Sequence, residues 1–120
     1  MLPIAIALSW VGFVLHNVAD LPGQTLLSPE ILYPTLAYLM VIASMLWTSW
    51  PLFGWAVLQG VGGGIISVLP LPFLPFDPAQ TLHHYSFHVI YTLTQIPLMV
   101  LSYRAAVRPS RGTREASDPR

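Results

Sequence analysis

Four histidines and a nearby aspartate hold most of the chemistry open to this chain: His16, His83, His84, His88 and Asp20. Imidazole is a nitrogen ligand that suits zinc, copper and iron alike. His84 and His88 are four residues apart, so a helix presents them on one face, and Thr92 and Gln95 continue it. His16 stands four residues before Asp20, close enough for the carboxylate to orient the ring, and Asn17 is a further polar neighbour. His83 is turned by about 100° from His84, so it is expected to point away to the interface.

Three chemistries fit this set. A metal ion could be held by His16, His84 and His88, with Asp20 or Asp77 assisting. A haem could lie between helices, ligated by His16 on one and His84 or His88 on the other. The rings could also be structural, bonded to backbone, water and hydroxyls such as those of Tyr85 and Tyr91. One H-x-x-x-H pair without a cysteine or a glutamate beside it is a sparse metal signature, so the sequence favours the structural reading.

The elements that carry these residues are strongly apolar. Charged residues make up only 8% of the chain, against about a quarter in soluble domains, so it could not clothe a water-facing surface. Cysteine and lysine are absent, and every arginine lies at or beyond Arg104. With no basic patch elsewhere, nucleic-acid binding is not expected. The N-terminus lacks a positive segment and a cleavage site, and reads as a first span that stays in place.

The pattern predicts an all-α integral membrane four-helix bundle with spans at about 2–19, 30–49, 52–69 and 83–103. Leu21-Pro22-Gly23 stops the first span, and Ser28-Pro29-Glu30 starts the second. Trp50-Pro51 makes a tight connection to the third. Asp77-Pro78 is expected to open the fourth helix at 78, with Gln80 three residues after the cap, and Pro97 to kink it. Between spans 3 and 4, PLPFLPFDP is too proline-rich for a helix and too apolar for open water. It reads as an interfacial loop with Phe73 and Phe76 dipped into lipid. Residues 109–120 read as a disordered tail.

The arginines place the C-terminus in the cytoplasm, and four spans bring the N-terminus there too, as two in-out-in hairpins. Trp47, Trp50, Trp55 and Tyr103 then mark the inner edge. A bacterial plasma membrane is the expected location. In this topology all four histidines fall in the outer third, with His16 and His88 at one depth, roughly 6 Å below the surface. Polar stripes are costly against lipid, so Ala5, Ser9, Gly12, His16 and Asp20 are expected to face His84, His88, Thr92 and Gln95. Gly60, Gly62, Gly63 and Gly64, with a GxxxG pair at 60 and 64, predict close approach to a neighbouring helix.

The functional expectation is a non-enzymatic subunit or partner-binding membrane protein with a histidine-lined pocket near the outer face. Its partners would be the lipid bilayer, other membrane proteins or a second copy of itself. The alternative is metal or haem binding at His16, His84 and His88. Transport is disfavoured, because no acid lies between the membrane boundaries.

Overall fold

A computed structural model describes residues 1–75 and 77–108, so Phe76 and the expected tail 109–120 lie outside the described residues. The described chain is helical and contains no strand. Helix α1 spans Leu2–Asp20 and α2 spans Pro29–Ala43. Helix α3 begins at Trp50–Val57, and α4 spans Leu82–Ala106.

The stops follow local chemistry. After Asp20, Leu21 turns extended, Pro22 cannot continue the helix, and Gly23 takes a φ of 76° that favours glycine. Ser28 is extended ahead of α2, with Pro29 in its first turn. Here the second span is shorter than expected: its α-helix ends at Ala43, and a 3₁₀ turn covers Ser44–Leu46. The Ser44 hydroxyl donates to the Val41 carbonyl at 2.6 Å, diverting a group of the last turn.

The third span is not one regular helix. Past Val57 it widens into a π-helical segment over Leu58–Gly63, then a 3₁₀ turn over Ile66–Val68. The Gly64 amide donates to the Gln59 carbonyl at 2.9 Å, a bond five residues long. The glycine run lets the backbone take this wider turn without side-chain crowding.

The start of α4 corrects the sequence expectation. Asp77-Pro78 does not open it; residues 77–80 carry no helix, and Thr81 is the cap. Thr81 is extended and its hydroxyl accepts the His84 amide at 3.2 Å, so the orphan donor of the first turn is satisfied four residues later than predicted.

Three helical stretches are long and apolar enough to cross a membrane: Leu2–Asp20, Pro29–Leu46 and Trp50–Val68. Helix α4 has 25 residues, roughly 38 Å at the α-helical rise, but its histidines, hydroxyls and glutamine dilute its hydropathy. Burial is inverted relative to a water-soluble protein. Ser9, Gln95 and Ser102 are 0% exposed, whereas Ile4 is 71% and Val89 59% exposed. Ile4, Leu8, Val11, Leu15 and Val18 line one outer face of α1, and Val89, Leu93, Ile96 and Val100 one of α4. These faces suit hydrocarbon, and the chain fits an integral membrane protein.

The most extensive helix contact is α1 against α4, followed by α3 against α4. It closes on small residues. A Cβ on Gly12 would collide with the Thr94 side chain of α4. Ser9 bonds the side-chain oxygen of Gln95, and the Gln95 amide returns a bond to the Ser9 carbonyl at 3.1 Å. Tyr38 of α2 joins them at 2.6 Å from the Ser9 hydroxyl. Polar pairs of this kind hold helices together where no water competes.

Candidate metal centre

The α1–α4 contact brings histidines from both ends of the chain together. The Nε2 atoms of His16 and His88 are 2.9 Å apart, with the rings edge to face. His84 packs on His88 with centroids 4.3 Å apart. Asp20 lies beside them, its Oδ2 2.6 Å from His84 Nδ1 and 4.0 Å from His16 Nε2. Asp20 was expected to orient His16; it holds His84 instead, because the His16 ring is turned towards His88 and Asn17.

The partner of each Nδ1 decides what each Nε2 can do. His88 Nδ1 is 3.1 Å from the Gly64 carbonyl, which only accepts, so Nδ1 carries the proton. His84 Nδ1 donates in the same way to the Asp20 carboxylate. The Asn17 amide is oriented by its own donor, which reaches the Glu30 carbonyl at 3.2 Å. Its oxygen is thereby turned to His16 Nδ1 at 3.3 Å. His84 and His88 thus hold an Nδ1 proton on an oxygen acceptor and keep an Nε2 lone pair. A neutral His16 has one ring proton to place: on Nε2 it donates to His88 at 2.9 Å, and on Nδ1 it faces Asn17 at 3.3 Å and leaves both Nε2 lone pairs to a metal ion. His84 Nε2 is buried without a hydrogen-bond partner among the described residues.

Both anchoring carbonyls come from helix irregularities. Pro34 has no amide hydrogen, so the Glu30 carbonyl four residues earlier lacks its helical donor and is free for Asn17. The Gly64 carbonyl reaches His88 where α3 loosens past its π-helical turns. Sequence reasoning named Asn17 only as a polar neighbour, gave Gly64 a packing role and Tyr91 a hydroxyl bond to the rings, and missed Glu30 as an anchor. The signals were Pro34 and the glycine run. Tyr91 stacks under His16 with centroids 5.1 Å apart, and its hydroxyl bonds the Gln59 side chain.

His16, Asp20 and His88 each offer a ligand atom within 4.8 Å of the others. They line a cavity of about 590 Å³ whose wall also includes Glu30, Asp77 and His84. His83 stands outside the group: it is exposed, and its Nε2 lies 3.2 Å from the Ala19 carbonyl at the end of α1. Thr92 bonds back to the His88 carbonyl at 2.8 Å.

The glycines meet side chains of α4 rather than a backbone of another helix. A Cβ on Gly60 would stand 3.2 Å from Gln95 Cβ, and one on Gly63 3.1 Å from the Tyr91 hydroxyl. Gly64 abuts Thr92, whereas Gly62 meets only Leu58 of its own segment.

No protein family matches the chain, and neither a curated protein nor a solved structure matches it.

Proposed function

We propose that this is an integral membrane protein that binds one divalent transition-metal ion through His16, His88 and Asp20. The observation that carries the reading is the pair of Nε2 atoms converging at 2.9 Å, each ring with an oxygen beside its other nitrogen. Ligand atoms on a tetrahedral ion about 2 Å away stand roughly 3.3 Å apart, so the two rings part by a few tenths of an ångström while Asp20 Oδ2, 4.0 Å from His16 Nε2, moves in by somewhat more. Two imidazoles and a carboxylate suit zinc, copper or iron and leave coordination positions facing the cavity. His84 supports the Asp20 carboxylate from behind.

The same geometry argues against haem. Bis-imidazole ligation places the two Nε2 atoms about 4 Å apart on opposite sides of a flat macrocycle. Edge-to-face rings at 2.9 Å leave no slot for one.

In this reading the chain forms a four-helix bundle in a bacterial plasma membrane, with α4 as the fourth span and both termini cytoplasmic. The arginines from Arg104 onward support that orientation, and the metal site then opens outward.

The test is a Co²⁺ titration of the detergent-purified protein, followed by ligand-field absorption and metal analysis. One ion per chain, displaced by Zn²⁺ and lost in His16→Ala and His88→Ala, is the expected result. An unaltered spectrum with no retained ion would remove the metal and leave a partner-binding pocket as the reading.

A further inference from the structure

The end of α4 opposite the histidines collects the positive charge of the chain. Arg104 is exposed in the last turn of the helix, and Arg108 follows just past its end. From Arg104 onward the sequence has five arginines against two acids, Glu115 and Asp118, and no lysine. The other carboxylates, Asp20, Glu30 and Asp77, line the metal cavity beside His84. At the helical rise, His84 and Arg104 are about 30 Å apart along α4.

Two structural features meet at Arg104. The first is an aromatic group that ties the end of α4 to the start of α3. Tyr103 packs on Phe53 with centroids 5.4 Å apart and on Trp50 at 6.3 Å, and Trp50 packs on Phe53 at 5.9 Å. Trp50 and Tyr103 are about half exposed. Amphipathic rings of this kind gather at the headgroup level of a bilayer. The second is an apolar stripe. Leu93, Ile96, Val100 and Tyr103 are exposed at spacings of three and four, and Arg104 continues the stripe one turn beyond Val100. From Leu93 to Arg104 is about 16 Å at the helical rise, close to half of a hydrocarbon core roughly 30 Å thick. Arg104 therefore stands at the depth where a lipid lying on the stripe carries its phosphate.

We infer that this end of α4 binds an anionic glycerophospholipid, with its phosphate on Arg104 and Arg108 and an acyl chain along Ile96 and Val100. Guanidinium groups match phosphate oxygens two at a time, and they lose their hydration more readily than an ammonium does. A zwitterionic lipid brings its own ammonium to the same place and gives up most of the attraction. The stripe contributes only when the phosphate carries a chain, so the occupant is a lipid and not the free anion. The site lies at the far end of α4 from His88, so the inference does not rest on the metal reading.

The experiment offers the full chain in mild detergent equal amounts of phosphatidylglycerol and phosphatidylcholine with the same acyl chains. Lipid adducts are then counted by native mass spectrometry. Phosphatidylglycerol adducts are expected to exceed phosphatidylcholine adducts by at least about fivefold, the effect of one arginine at an anionic headgroup. The double variant R104Q/R108Q should bring the ratio close to one, with its thermal transition confirming the fold. The triple variant R111Q/R114Q/R120Q should keep the preference, and inorganic phosphate at the lipid concentration should not displace the adduct. Equal adducts of the two lipids would overturn the proposal. So would a preference that survives R104Q/R108Q and is lost in the triple variant, because the tail would then hold the lipid. Displacement by inorganic phosphate would make the occupant a free anion and overturn it as well.

Discussion

His16 and His88 are separated by 72 positions in the chain, and their Nε2 atoms are 2.9 Å apart. Neither ring can turn its Nε2 away without giving up the acceptor behind it: Asn17 for His16, the Gly64 carbonyl for His88. The ring orientations are therefore set from outside the cluster, by a proline in α2 and a widened turn in the third span.

Removing the Asn17 anchor should weaken metal binding without removing a ligand. Asn17→Leu is expected to lower Co²⁺ affinity by about 10- to 100-fold, the usual effect of losing an outer partner. Asn17→Asp, which still accepts from His16 Nδ1, should recover most of it. Pro34→Ala acts from farther away: its new amide competes for the Glu30 carbonyl, so Asn17 loses its anchor. A smaller loss in Pro34→Ala than in Asn17→Leu is expected; no change in either would detach Asn17 from the site.

Metal and proton should compete. A proton on either Nε2 occupies the lone pair that an ion needs, so metal and proton exclude one another there. Affinity therefore falls as pH falls, by about tenfold per pH unit for each proton released. Co²⁺ titrations at several pH values, with proton release measured in weak buffer, read the number directly. Pure pH independence down through the histidine range would mean that the imidazoles are not the ligands.

The small residues differ sharply in what they tolerate. Gly12→Ala should destabilise by about 1–3 kcal/mol through overpacking, because the added methyl meets the Thr94 side chain. Gly64→Ala should behave likewise, against Thr92 and the Gly60 carbonyl of its own segment. Gly54 lies within α3 and has nothing within 4 Å of an added Cβ, so Gly54→Ala should not destabilise and should gain about 0.5–1 kcal/mol of helix preference. Thermal unfolding in detergent gives the order; equal effects at the three sites would show that α1 does not close on α4 at Gly12.

The buried pair Ser9–Gln95 should lock α1 to α4. A double-mutant cycle with Ser9→Ala and Gln95→Leu is expected to give a coupling of about 0.5–1.5 kcal/mol, the range for polar pairs between membrane helices. A coupling near zero would mean that packing alone joins the two helices.

Topology can be read with reporters. A fusion after Arg120 should be cytoplasmic, and an insertion at Gln24 should be exported. The opposite result would turn the metal cavity to the cytoplasm without altering its geometry.

Several features were legible in the amino-acid order because they depend on local chemistry. The apolar stretches that form Leu2–Asp20, Pro29–Leu46 and Trp50–Val68 follow from composition and length, and the break at Leu21-Pro22-Gly23 follows from backbone geometry. Helical rise alone sets His16 and His88 at matching depth if spans 1 and 4 run antiparallel. Other features depend on which groups meet across helices, and no local rule supplies that. Asp20 and His16 share a helix face, yet the carboxylate bonds His84, because α4 presents a closer donor. Thr81 displaced Asp77 as the cap, since a turn there satisfies the His84 amide while Asp77 lines the cavity. The roles of Asn17, Pro34 and Gly64 were decided by tertiary structure alone: each supplies or frees a hydrogen-bonding group whose partner lies on another segment.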